Sequence, residues 1–269
     1  MLKQRIITAL ILVPLAIALI LYSGDRSFSL AVALLFGIAG WEWGGISGRP
    51  GSVQRIFLAL SITLVCLALW WFNQRDWLDD LLAAGVLFWT LVIVLLPGYR
   101  QTGMPTHRWR WLLLLAAFFV LLPAWAGYTL LHAIHPGWVI YVMMLCVTAD
   151  TGAYFAGKRF GRRKLAPELS PGKTREGLLG GLAGVLLLAT GTGLAVDMGI
   201  MGTVYLVLLS LVAALVSVTG DLFISLLKRE SGVKDTGHLL PGHGGLLDRI
   251  DSHVAATPVF TLGLLWWLG

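Results

Sequence analysis

Charge is scarce in this chain. Only 13% of its 269 residues are Asp, Glu, Lys or Arg, against about 25% in an average soluble domain. With 57% hydrophobic residues and a mean hydropathy of +0.81, the composition excludes an ordinary water-soluble fold and points to a bilayer. Cysteine is scarcer still. Cys66 and Cys146 both fall inside apolar runs, without CxxC spacing or a local histidine, which argues against a disulfide or zinc site and leaves packing. No Gly-rich linker, low-complexity tract or internal repeat divides the chain, so residues 1–269 read as one membrane domain. A P-loop is also missing: Gly172-Lys173-Thr174 resembles its end, but the motif's first glycine would fall at Pro167 and no strand precedes it.

What the chain does have is a series of apolar runs. Nine candidate spans lie near 6–22, 28–46, 56–72, 81–97, 111–131, 138–156, 178–196, 204–227 and 254–268, several close to the roughly 20 residues a bilayer requires and the last one short. The expected fold is therefore all-α and polytopic, with about nine transmembrane helices. The first run follows Met1-Leu2-Lys3-Gln4-Arg5 and has no small-x-small cleavage site before Ser23, so it reads as a retained helix rather than a signal peptide. Twelve tryptophans, mostly near span ends, suit interfacial belts.

The net charge of +6 is spread over short loops, which fits membrane topology better than nucleic-acid binding. One set of alternate loops holds Lys3, Arg5, Arg49, Arg55, Arg100, Arg108, Arg110, seven bases from Lys158 to Arg175, and Lys228, Arg229, Lys234 and Arg249. The other set holds only Arg26 and Arg75. Cytoplasmic loops carry the excess of bases, so the amino terminus is expected in the cytoplasm, with the 157–177 and 228–253 loops on the same side.

The second of these loops is the chemical anomaly. From Ser225 to Asp251 the chain gathers four basic residues, four carboxylates, two histidines and a Pro-Gly-His-Gly-Gly turn. Asp221, Ser225 and Lys228, at i, i+4 and i+7, share one helical face at the end of the preceding run, and Asp248 and Asp251 share one side of a turn if that segment is helical. Three carboxylates beside phosphate-seeking bases suit a hard divalent cation that keeps waters and substrate phosphates in its remaining positions. Lys228, Arg229 and Lys234 suit a phosphate-rich substrate, and Gly244 and Gly245 would let backbone amides approach it. A solvated, positive-inside loop is the plainer alternative. Asp150, about two turns before the basic run that starts at Lys158, shares a helical face with Tyr154 and Gly157 and is expected to face a polar cavity. Glu42, between Trp41 and Trp43 inside the second span, is either a functional group at membrane depth or half of a structural pair. Gly177, Gly180, Gly181 and Gly184 open the seventh span with GxxxG spacings suited to close helix packing.

The order Ser225, Lys228-Arg229, Lys234-Asp235, Pro241, His243-Gly244-Gly245, Asp248-Arg249 and Asp251 resembles the signature of the phosphatidate cytidylyltransferase family. Ser170-Pro171, Lys173-Thr174 and Glu176-Gly177 are similar to a second element of that family and of related CTP-using lipid kinases. The resemblance implies CTP, phosphatidic acid and membrane lipid as partners, no nucleic acid, and a bacterial-type inner membrane with the active site facing the cytoplasm; a homodimer stays open. Within the one membrane domain the last four spans, 138–269, are expected to form the catalytic core, behind amino-terminal helices at 1–137. Asp221, Asp248 and Asp251 would hold Mg²⁺, as two divalent or mixed metal ions, and would form the catalytic group with Lys228 and His243. Lys173, Thr174, Arg175, Arg229, Lys234, Gly244, Gly245 and Asp150 would bind substrate. His243 would contact phosphate or a metal-bound water, and Asp235 and Arg249 could instead form a structural ion pair. A CTP-dependent polyprenol or phytol kinase is the alternative enzyme, and a secondary transporter the alternative outside enzymes, although no paired half-repeats are evident.

Orientation is directly testable. Cysteines introduced at Ser170 and Ser231 should be labelled by an impermeant reagent only after the cells are opened. Labelling of either from outside intact cells would overturn the topology.

Overall fold

The structure, a computed structural model, describes residues 2–47, 51–72, 75–98, 110–239 and 242–269. Arg49, Arg100, Arg108 and Pro241 lie outside the described residues. Along the chain run α1 (Leu2–Tyr22), α2 (Asp25–Ile46), α3 (Ser52–Phe72), α4 (Arg75–Leu95, extended by a 3₁₀ turn Leu96–Gly98), α5 (Arg110–Ile134) and α6 (Pro136–Phe160). Then come two short strands, β1 (Lys164–Ala166) and β2 (Ser170–Thr174), followed by α7 (Arg175–Ala195), α8 (Gly199–Glu230), α9 (Leu247–Ile250) and α10 (His253–Leu268). The protein is an all-α polytopic membrane protein. Each expected span falls on one of these helices, and among the described residues seven are long and apolar enough to cross a bilayer. The apolar part of α1, Ile6–Tyr22, and α10 are shorter.

Helices α2 and α5 form the centre of the bundle. Phe28, Val32, Phe36, Ala39, Trp43 and Ile46 recur every three or four residues along α2, and all are buried. Helix α5 is buried almost continuously from Val120 to Leu131, and Pro123 is accommodated there because neighbouring helices enclose it. Helices α3 and α4 instead expose Leu60, Leu64, Leu87 and Leu91, as apolar side chains facing lipid would.

The tryptophans depart from the expected belts. Trp71, Trp111 and Trp266 are exposed, but Trp43, Trp89 and Trp125 lie wholly inside the bundle. A buried indole N–H needs an acceptor. Each of the three donates to a carbonyl of another helix: Trp43 to Leu113 at 2.8 Å, Trp89 to Val254 at 3.2 Å and Trp125 to Ser29 at 3.1 Å. Cys66 and Cys146 are buried, unpaired thiols.

Helices α6 and α7 pack most intimately, through the expected small residues. A Cβ on Gly181 would stand 2.6 Å from the Ala149 carbonyl, and one on Gly152 would stand 2.8 Å from that of Gly180. The two backbones touch, as GxxxG spacings allow. The connection between these helices is not a plain loop: β1 and β2 pair antiparallel, Lys164 opposite Thr174. The Glu176 carboxylate accepts from the amides of Arg162 and Arg163, and Thr174 caps α7 by accepting from Gly177 N at 3.1 Å. These bonds hold the hairpin against the start of α7 and fix the position of Lys173.

Candidate active site

Four elements converge at the ends of α6 and α8: α6 with Asp150, the hairpin with Lys173, α8 with Asp221 to Lys228, and the segment from Ser231 to Ser252. A cavity of about 340 Å³ lies between the first three, lined by Asp150, Tyr154, Ser170, Lys173, Thr174 and Val218 among others. Asp150 therefore lines a cavity that mixes polar groups with apolar side chains such as Leu165, Leu178 and Val218. A neighbouring apolar cleft of about 520 Å³ shares Leu165, Leu178 and Val218 with it and extends along α4 and α8 past Leu215 and Leu222. A larger cavity, about 820 Å³, opens at the opposite end of α2 near Asp25 and Trp70, away from this chemistry.

The expected face of α8 is present. Ser225 Oγ donates to Asp221 Oδ1 at 3.2 Å, while Lys173 Nζ lies 2.5 Å from Asp221 Oδ2. The lysine contact is an ion pair without the alignment of a directed hydrogen bond. Lys173 thus joins the hairpin to α8 across the cavity.

The three acids proposed as a unit occupy different environments. Asp248 is saturated: Oδ1 accepts from Lys228 Nζ at 2.8 Å, and Oδ2 accepts from Thr236 N at 2.9 Å and Gly245 N at 3.0 Å. Burial opposes its charge, but Lys228 and the two amides outweigh that penalty and hold its carboxyl below the usual range. Asp251 is pushed the other way. Burial first, then the negative charge of Asp221 and more weakly that of Asp150, raise its carboxyl well above the ordinary value, against the opposing effects of Lys228 and the Ser252 amide. Gly220 makes this proximity possible, since a Cβ there would stand 2.5 Å from the Asp251 carbonyl.

Among the described residues no three His, Cys, Asp or Glu side chains form a ready-made metal cage. Mg²⁺ does not require one, because one or two carboxylates with waters and substrate phosphates commonly suffice. Asp221 and Asp251, neighbouring acids whose charges oppose each other with an ammonium already drawn to one of them, are a donor set that fits such an ion.

The remaining candidates separate clearly. Arg175, Arg229 and Lys234 are exposed, and Thr174 spends its hydroxyl on the helix cap. His243 Nδ1 is buried and has no hydrogen-bond partner among the described residues. Gly244 has φ +85°, a left-handed conformation that favours glycine and shapes the turn around Asp248. Asp235 and Arg249 do not pair with each other; the acid bonded to a base in this segment is Asp248, whose side chain is 4% exposed where Asp235 is open to solvent.

The sequence profile of the Cytidylyltransferase family matches residues 3–266. The chain belongs to the cytidylyltransferase family. It is 42% identical to a phosphatidate cytidylyltransferase of Pseudomonas aeruginosa, with 100% of this chain and 98% of the relative aligned. A phosphatidate cytidylyltransferase of Haemophilus influenzae is 36% identical over 97% of this chain and 98% of its own. One from Bacillus subtilis is 46% identical over 45% of each chain. In this cytidylyltransferase the signature resemblance is thus matched by likeness over nearly the whole length, including the amino-terminal helices that carry no motif.

Two features of the site escaped sequence reasoning. One is the β-hairpin carrying Lys173. The other is the partner of Glu42, whose only sequence signal was a carboxylate between two tryptophans in an apolar run.

The buried Lys228–Asp248 pair yields a stability prediction. Lys228→Met leaves the Asp248 carboxylate buried with amides alone and should cost about 3 kcal/mol. Adding Asp248→Asn to it should recover part of that loss. Thermal unfolding of the detergent-solubilised single and double variants checks this, and additive losses would mean that the two groups are not coupled.

Proposed function

We propose that this protein transfers the cytidylyl group of CTP to phosphatidic acid, forming CDP-diacylglycerol and pyrophosphate at the cytoplasmic face of the inner membrane. The observation that carries the reading is the pairing of a cavity bearing Lys173 and Asp150 with an apolar cleft that shares its wall. An amphiphile could place its phosphate beside Lys173 and its hydrocarbon along α4 and α8, while the nucleotide arrives from water. The family membership and the names of the full-length relatives support the same reaction.

The chemistry needs little from a protein base. A phosphomonoester is largely dianionic near neutral pH, because its second pKa is about 6, so a lipid phosphate oxygen can attack the α-phosphorus of CTP directly. The new bond joins that oxygen to the α-phosphorus; the broken bond is that between the α-phosphorus and the oxygen bridging to the β-phosphate, and pyrophosphate leaves with the electron pair. The protein's task is alignment and neutralisation of charge. Lys173 lines the cavity and would serve this purpose, and Arg175, Arg229 and Lys234 are exposed and would be available to nucleotide phosphates. Asp221 and Asp251 would hold a divalent ion such as Mg²⁺, which supplies electrostatic stabilisation of phosphate oxygens when bound. Asp248 serves the same centre by fixing Lys228 and the glycine turn.

A product assay with CTP labelled at the α or the γ position tests the reading. Label from the α position should appear in lipid, and label from the γ position should appear in pyrophosphate. Lipid labelled from the γ position would instead establish a kinase, and no lipid label from either position would overturn both enzymes.

Lys173 gives a second test. Lys173→Ala removes a cation that meets substrate phosphate before and during the reaction, so the KM for CTP should rise by about tenfold or more. Unchanged kinetics in a monodisperse variant would remove Lys173 from the substrate site.

A further inference from the structure

Glu42 lies in α2, in the amino-terminal third of the chain, which carries no motif, and is 2% exposed. Among the described residues no cation pairs with it; hydrogen-bond donors answer its charge instead. Oε1 accepts from Leu246 N at 3.0 Å, and Oε2 accepts from Leu247 N at 2.7 Å and Thr236 Oγ1 at 3.2 Å. All three donors belong to the segment that Asp248 also grips. Thr236 is held by both acids, its amide by Asp248 and its hydroxyl by Glu42. Gly245 donates its amide to Asp248, and a Cβ on it would stand 2.6 Å from Glu42 Oε2. Gly237 lies so close that a Cβ would come within 2.5 Å of Glu42 Oε1. A second fastening lies nearby, where Ser231 Oγ donates to the Ile46 carbonyl at the end of α2.

We propose that Glu42 is a positioning residue for cytidylyl transfer, whose carboxylate pins both feet of the 236–247 loop to α2 so that Asp248, Lys228 and the glycine turn are held beside Asp251. The proposal rests on the reading of function above. Geometry favours it over simple helix packing, because among the described residues every hydrogen bond of the Glu42 carboxylate goes to the loop and none to a neighbouring long helix. A buried, uncountered carboxylate is stable only while its donors stay in place, so the loop and α2 constrain each other. Glu42 reaches the chemistry only through that loop. Its removal should therefore impair turnover more than lipid binding, because the apolar cleft is lined by α4, the hairpin, α7 and α8.

The test uses the full-length protein in detergent–lipid micelles with the unaltered protein as reference. Glu42→Gln puts an amide group where the loop offers only donors. Its kcat should fall at least tenfold, since displacement of about 1 Å at a site can cost on the order of a hundredfold. The KM for phosphatidate should stay within about twofold, because uniform substrate binding is not what Glu42 supplies. Hydrogen exchange should quicken at the amides of 236–239 and 242–247 and stay unchanged in α6 and α7. Gly237→Ala intrudes on the same carboxylate from the loop side and should reproduce the same split. If Glu42→Gln fails to fold, Thr236→Val, which deletes one bond only, decides with a severalfold loss of kcat expected. Unchanged kcat in any of these variants once folded, or faster exchange spread over the whole bundle, overturns the proposal. Absence of transfer by the unaltered protein would instead overturn the reading of function.

Discussion

An ionised group inside a helical membrane bundle must find donors or a counter-charge, because lipid and packed side chains supply neither. The acids of this protein obey that constraint in unequal measure, and the inequality separates structure from chemistry. Glu42 and Asp248 have every oxygen answered, the first by two amides and a hydroxyl, the second by an ammonium and two amides. Both act as fasteners. Asp221 and Asp251 oppose one another's charge, and among the described residues the cation paired with Asp221 is Lys173, which comes from a different element. A pair left in that condition is suited to a ligand that brings positive charge, or to one whose negative charge draws the lysine away.

The bundle meets this need by bringing backbones unusually close. Gly152 and Gly181 allow α6 and α7 to touch, which sets Asp150 opposite the base of the hairpin, and Gly220 allows the α9–α10 junction to reach α8 beside Asp221. A side chain at any of these positions would separate elements by more than a hydrogen bond can span. The hairpin then completes the wall: Glu176 and Thr174 tie it to α7, so Lys173 reaches Asp221 from a rigid support.

Much of this arrangement was legible in the chain. Apolar runs located the helices, the i, i+4, i+7 spacing put Asp221, Ser225 and Lys228 on one face, and the small residues of α7 announced a close contact. The unequal roles of the three aspartates were not legible, because a one-dimensional pattern of acids and bases does not say which pairs meet. Asp248 lies 20 residues from Lys228, while Asp235 and Arg249 looked equally fit to pair. The hairpin was hidden by its brevity, three and five residues with a Pro and a Gly inside the second strand. Glu42 and Leu247 are 205 residues apart, a separation that no local spacing rule spans. The buried tryptophans were misread for a related reason: being near a span end does not decide whether an indole faces headgroups or another helix's carbonyl.

Placement of the polar cluster at the ends of α6 and α8, rather than mid-bundle, follows from the two substrates of the proposed reaction. A nucleotide triphosphate cannot enter hydrocarbon, and a diacyl lipid does not leave it, so their phosphates can meet only near the interface. A cavity lined by Asp150 and Lys173 and sharing Leu165, Leu178 and Val218 with an apolar cleft meets both demands at one wall. Fixed acids are useful there because phosphates alone would favour an all-basic pocket, which would bind substrate and pyrophosphate product alike. Asp221 beside Lys173 tempers that attraction. The lysine has a partner to return to when pyrophosphate leaves, so the site need not hold its anionic product in order to keep its charges paired.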